Sequence, residues 1–231
     1  MGDLIRFAAN GTSATGYLAV PGAGTGPGVI VIQEWWGLVD HIKDVCDRFA
    51  GEGFVALAPD LYHGKATKSP DEAGKLFMAL NIAKAGVDIR GAADALLARP
   101  EVSSSTAGVV GFCMGGQLAL FAGAEYPDRF AAVVDFYGVH PNCRIDPARL
   151  KARVLAHFAK RDNSVPEAEA RALADRIRGA GGAIEAHFYD ADHAFFNDTR
   201  PTVYNAELAA LAWKRTIEFL REGLANPVAS S

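Results

Sequence analysis

The sequence predicts an α/β protein of three layers: a mostly parallel twisted sheet covered by helices on both faces, with an antiparallel hairpin at its N-terminal edge. Three observations predict it. Short apolar runs without polar alternation, such as Val29-Ile-Val-Ile32 and Val154-Leu-Ala-His-Phe158, read as strands buried on both faces. Amphipathic stretches separate them at the strand, helix, strand spacing of βαβ units. Asn10-Gly11, between two strand-like arms, is a strong short hairpin signal.

Half of the 231 residues are hydrophobic and 22% are charged, with no linker-like interruption, so one globular domain over 1–231 is expected. A net charge of -4 with no Lys/Arg cluster leaves no footprint for nucleic acid. Nothing approaches 18 consecutive apolar residues, and Met1–Phe7 lacks a basic leader, so no membrane partner and a cytoplasmic location are expected. Cys46, Cys113 and Cys143 are an odd, sparse set that fits a reducing compartment. Cys46 shares an apolar stripe with Val39, Ile42, Val45 and Phe49 and reads as core. No metal-ligand spacing and no dinucleotide fingerprint occurs, so neither metal nor cofactor is expected. The expected partner is a small-molecule substrate, and the expected assembly a monomer or weak homodimer.

In chain order, residues 3–8 and 15–20 are the hairpin arms. The glycine-rich stretch Pro21–Gly28 precedes strand 28–32 instead of following a strand, so it cannot offer helix-start amides to a phosphate. A helix over 39–50 and a strand over 54–58 complete the first βαβ unit. A helical pattern runs from Pro70 to about Ala98, with a break expected near Gly86. Strand 108–112 and a helix stopped at Tyr126-Pro127 come next. Strands 131–136 and 154–158, a helix over 166–178, strand 184–189 and a helix over 202–219 finish the pattern.

The chemistry starts at Gly111-Phe-Cys113-Met-Gly115-Gly116, a nucleophile-elbow pattern with cysteine as the central residue. A buried cysteine at a helix start is the plain alternative. The test lies at the other strand ends, where parallel sheets bind ligands. Strand 28–32 runs into Glu34, strand 154–158 into a loop with Asp162, and strand 184–189 into Asp190-Ala-Asp192-His193. Nucleophile, acid and histidine in that order make the triad order of the α/β-hydrolase fold.

A free thiol with a pKa of about 8.5 is mostly protonated at neutral pH, so it needs an imidazole to take its proton. His193 fits that role. The imidazole needs an orienting carboxylate, assigned to Asp162 over Asp190 and Asp192 because it comes from a different strand. The backbone amides of Met114 and Trp35 are the expected oxyanion hole. Trp35 and Trp36 suit a pocket wall or plain packing equally. His157, inside an apolar strand, is expected as a hydrogen-bonded core histidine.

Gln33-Glu34-x-x-Gly37, Ala58-Pro-Asp-Leu-Tyr62, the elbow, Asp162 with Val165-Pro166, and Asp190-Ala-Asp-His-Ala-Phe195 resemble the dienelactone hydrolase family over most of the chain. That family comprises cysteine-nucleophile members of the fold. The resemblance implies hydrolysis of a small ester or lactone through an acyl-cysteine, with Cys113, Asp162 and His193 as the triad. It also implies that Glu34 hydrogen-bonds the resting thiol and takes its proton when substrate enters, which would spare Cys113 from oxidation. Members acting on dienelactone hold its carboxylate with two arginines, where this chain offers Pro70 and Asn197. Losing two charge-assisted contacts, each worth about 1.5–3 kcal/mol when desolvated, points to a less anionic substrate. Trp36, Phe195, Phe196 and Asn197 are the expected pocket, and Lys68, Lys75 and Arg200 the remaining candidates for an anchor. The alternative is a non-hydrolytic binding or thiol-redox module on the same fold.

Overall fold

Asn10 and Gly11 both take positive φ, +51° and +70°, the backbone that a tight two-residue hairpin turn requires. In the computed structural model, which describes residues 2–225, this turn joins β1 (Asp3–Ala9) to β2 (Thr12–Ala19). The remaining strands are β3 (Gly28–Ile32), β4 (Val55–Pro59), β5 (Ala107–Phe112), β6 (Phe130–Phe136), β7 (Arg153–Arg161) and β8 (Ile184–Asp192). They form one sheet in the order β1-β2-β4-β3-β5-β6-β7-β8. Pairing is antiparallel from β1 through β2 to β4 and parallel from β4 onward.

The helices are α1 (Asp40–Gly51), α2 (Pro70–Ala79), α3 (Ile82–Leu97), α4 (Met114–Glu125), α5 (Glu167–Gly179) and α6 (Ala206–Ala225). Successive residues of a strand face opposite sides, and β3 divides accordingly. Val29 and Val31 pack with Ile42 and Phe49 of α1 and Leu220 of α6, whereas Ile30 and Ile32 pack with Ile89 of α3 and Leu118 of α4. Each such side chain contributes about 1.5–3 kcal/mol over exposure, which is why a central strand needs no polar positions. Among the described residues, no helix is long and apolar enough to cross a membrane.

Of the boundaries that differ from the expectation, two have a clear local cause. The break in the 70–98 pattern falls at Leu80-Asn81, not near Gly86, because the Asn81 side chain accepts the Lys84 amide at 3.0 Å and starts α3. Gly86 lies inside α3, where a Cβ would come within 2.7 Å of the Phe121 ring on α4. It is there for helix contact. The last helix starts at Ala206 instead of residue 202, with the Asn205 side chain accepting the Leu208 amide at 3.1 Å.

The sheet also prepares the site at its edge. Ala159 pairs with Tyr189, but Arg161 pairs with Asp192, so three steps on β8 match two on β7. Such a bulge re-aims the chain that follows, here the turn carrying His193.

Candidate active site

Cys113 stands between β5 and α4 at φ +54° and ψ -119°. A non-glycine residue held there costs about 1–3 kcal/mol, so its surroundings must hold it. They do so through backbone bonds to the end of β6: the Cys113 amide donates to the Phe136 carbonyl at 2.9 Å, and the Cys113 carbonyl accepts the Val139 amide at 3.1 Å. Two flanking glycines allow the crossing. A Cβ at Gly111 would lie 1.9 Å from the Gly115 carbonyl oxygen, and one at Gly115 would lie 2.4 Å from that of Ile32. The first turn of α4, which begins with the Met114 amide, therefore rests on the end of β3, where Gly115 meets the carbonyls of Ile32 and Gln33. At a helix start that amide has no carbonyl four residues back to satisfy it.

His193 follows β8, and its Nδ1 meets Asp162 Oδ2 at 2.6 Å. The other oxygen of Asp162 accepts the amides of Ser164 and Val165 at 2.7 and 2.9 Å. Both oxygens of the carboxylate are thus engaged, and its side chain is 1% exposed against 21% for the imidazole. Cys113 lines the same cavity as His193, and its thiol acts on the imidazole at close range. Burial pulls the imidazole pKa down, but the bonds to Asp162 and Cys113, with their charges, outweigh it and raise the value to about 10. Cys113 is half-exposed, whereas Cys46 and Cys143 are buried and burial pushes the Cys143 thiol up to about 12.

Glu34 is buried, and its Oε2 accepts Asn197 Nδ2 at 2.7 Å. Asn197 is itself fixed, its Oδ1 accepting the amide and hydroxyl of Thr199 at 3.0 and 2.6 Å. The second Glu34 oxygen has no partner, so the bond to the resting thiol implied by the resemblance is not formed. Asp190 and Asp192, the rival acids, turn away from His193 to pair with Arg161, Asp192 at 3.4 Å from its Nε.

A cavity of about 520 Å³ opens over Cys113, His193 and Glu34, walled by Trp35, Trp36, Phe77 and Val139. Phe195 and Phe196 are not part of it. Both are fully buried, Phe196 stacked on Phe112 at 5.2 Å and Phe195 against Tyr189 at 5.0 Å, because the turn after His193 drives them under the sheet edge into the α6 side of the core. Asn197 does not line this cavity either; it lines a second one and reaches the first only through Glu34. Of the candidate anchors, Arg200 lines the first cavity, Lys68 the second, and Lys75 a separate hollow.

The residues that sequence reasoning missed come from the end of β6. Tyr137, at φ +43°, has its ring 5.0 Å from that of His193. Burial and the charges of Glu34, Cys113 and Asp162 hold its hydroxyl far above the usual range. Asp135 lies below the elbow, opposite Gly111 in the sheet. Neither of its oxygens has a partner in full hydrogen-bond geometry, and burial pushes it up to about 7, the Gly138 amide pulling the other way. Strand-end reasoning applied to 131–136 would have pointed to the loop.

A parallel sheet, a cysteine on a strained turn, and an acid and histidine beyond the next strand ends define the α/β-hydrolase arrangement. Within it, the chain belongs to the dienelactone hydrolase family, whose model matches residues 14–224. Protein usf from Aquifex pyrophilus is 38% identical over 231 residues, 97% of this chain and 100% of that one. Carboxymethylenebutenolidase from Pseudomonas sp. (strain P51) is 34% identical over 216 residues, 89% and 88% of the two chains. The crystal structure of a dienelactone hydrolase-like promiscuous phosphotriesterase from metagenomic libraries matches with a TM-score of 0.85 at 26% identity, covering 96% of this chain and 98% of that one. Among the described residues, no cluster of potential ligands could hold a metal ion.

Proposed function

We propose that the protein hydrolyses small carboxylic esters or lactones through an acyl-cysteine formed on Cys113. The observation that carries this reading is the imidazole of His193, held by Asp162 at 2.6 Å and sharing a cavity with the Cys113 thiol, which acts on it at close range. The thiol proton resides on His193, whose raised pKa favours the imidazolium, and the thiolate attacks the carbonyl carbon. The oxyanion is met by the amides of Met114 and Trp35. The carbonyl re-forms as the alkoxide leaves with the imidazolium proton, staying tethered if the substrate is a lactone. Water, deprotonated by His193, then attacks the thioester and releases the acid and the thiol.

Glu34, bonded to Asn197 instead of the thiol, is assigned to the cavity wall, and the proton is His193's to take. The part of the substrate nearest Cys113 is neutral. Trp35, Trp36, Phe77 and Val139 surround it, and Arg161 is already engaged by Asp190 and Asp192. Three free cysteines support a reducing compartment such as the cytoplasm.

The test is hydrolysis of 4-nitrophenyl acetate, with acid quench and mass spectrometry during turnover. The acyl group is expected on the peptide bearing Cys113, and Cys113→Ala should lower turnover by about 10³-fold or more. Turnover that survives the substitution, or an acyl group on another residue, overturns the reading.

A further inference from the structure

Through Phe77, α2 supplies part of the wall of the cavity over Cys113, yet little of this helix is packed. Ala73 is its one buried residue, Leu76 and Phe77 are half-buried, Met78 is 55% exposed, and no side chain caps its start. A helix held so lightly frays from its ends, where the last carbonyls lack partners within the helix. The Phe77 carbonyl is one of these. The Leu80 amide donates to it at 3.4 Å, near the limit of a hydrogen bond.

His140, in the loop after β6, supplies a firmer bond. Its Nδ1 accepts the Asn142 amide at 3.1 Å, so the proton is on Nε2, which donates to the Phe77 carbonyl at 3.1 Å. The two rings also lie against each other, with centroids 4.4 Å apart. The imidazole is 5% exposed, and burial pulls its pKa down while the Phe77 carbonyl opposes more weakly, so the ring is neutral at pH 7. The loop itself is tied to the elbow. The Val139 amide donates to the Cys113 carbonyl, the Cys143 amide to the His140 carbonyl at 3.1 Å, and Gln117 Nε2 of α4 to the Cys143 carbonyl at 2.9 Å. Val139 and Pro141, on either side of His140, line the cavity with Phe77, whereas His140 does not.

We propose that His140 is a positioning residue that sets substrate size: it clamps the last turn of α2 to the loop after β6 and so fixes Phe77 as the wall that limits the ester arm on the α2 side. This deepens the hydrolase reading and rests on it. His140 takes no part in the triad or the oxyanion amides and acts through the ring of Phe77. Rigidity passes from the elbow through the loop to a helix that its own packing holds weakly, and the cavity keeps its width.

Two substrate series measure that wall. 4-Nitrophenyl esters from acetate to octanoate lengthen the acyl arm, and alkyl acetates from ethyl to octyl lengthen the alcohol arm. His140→Leu, which keeps bulk and removes both polar atoms, should raise kcat/KM for the longest ester relative to the shortest by about 3–10-fold in one of the two series, through KM more than kcat. His140→Gln, which keeps a donor and an acceptor, should restore most of the original ratio. Phe77→Ala should shift the ratio at least as far, and adding His140→Leu to it should shift it no further, a coupling that a general loss of stability does not produce. An unchanged ratio for His140→Leu or for Phe77→Ala in both series, or equal shifts from His140→Leu with and without Phe77, overturns the proposal. Absence of turnover for every ester counts instead against the hydrolase reading, and amide hydrogen exchange then decides the clamp. Exchange over residues 76–80 should be faster in His140→Leu than in the unmutated protein, with α4 unchanged, and equal exchange over 76–80 overturns it.

Discussion

The region around β7 and β8 holds two hydrogen-bonded histidines, His157 and His193, of opposite chemistry. His157 meets the hydroxyls of Tyr189 at 2.8 Å and Thr216 at 3.1 Å, and His193 meets the Asp162 carboxylate at 2.6 Å with the Cys113 thiol nearby. Burial pulls both downward. At His157 nothing opposes it, and the nearby charges of His187 and Arg215 add to it, so the ring stays neutral. At His193 an anion on one face and an ionisable thiol on the other reverse the sign. Partner charge, more than burial, separates a neutral strut from an imidazole poised to hold a proton.

The largest expected effect breaks His193 away from its anion. Asp162→Asn should lower kcat/KM by about 10²–10⁴-fold in an ester assay, since the amide neither fixes the tautomer nor stabilises the imidazolium. It should also change stability on the alkaline side. The folded pKa of about 10 lies above the unfolded value of 6.5, so this group's contribution is fully present below about 6.5 and is lost as pH rises through about 10. Thermal melts should show that alkaline decline in the unmutated protein and a flatter curve in the variant.

An intermediate effect concerns Asp135, a buried acid with no cation beside it. Its folded value of about 7 lies above the unfolded 3.8, so its contribution is present below about 3.8 and is lost as pH rises through about 7. The loss is on the order of 4 kcal/mol. Asp135→Asn should therefore gain relative stability as pH is raised from 4 to 8, as melts or urea titrations would read; a pH-independent difference would show that the carboxyl does not titrate there. The smallest effect belongs to the strut. His157→Leu should cost about 1–3 kcal/mol in urea unfolding, by leaving the Thr216 hydroxyl short of a partner, while kcat/KM changes less than twofold. A large kinetic change would mean that the two histidines are coupled.

The comparison also separates what was legible in the sequence from what was not. Strands buried on both faces leave continuous apolar runs, so β3 and β5 stand out, and the glycines around Cys113 mark a close backbone crossing. His157 reads as core because apolar neighbours flank it on a strand. Phe195 and Phe196 defeat the same reasoning. An aromatic pair after a functional histidine can turn either way, and the bulge in β8, which depends on pairing with β7, sends it inward. Asn197 is illegible for a different reason. Its partner Glu34 lies 163 residues away in the chain, and no local pattern encodes that meeting.

That long-range bond has a consequence for how the molecule comes into being. The groups around the cavity come from β3, β5, β7 and the turn after β8, and a Glu34-Asn197 contact can close only after the intervening strands have found their order. Contacts of such separation form late because their loop entropy is lost before they are rewarded. The appearance of activity during refolding therefore reports the assembled sheet as a whole, and partial structures, however helical, should be silent.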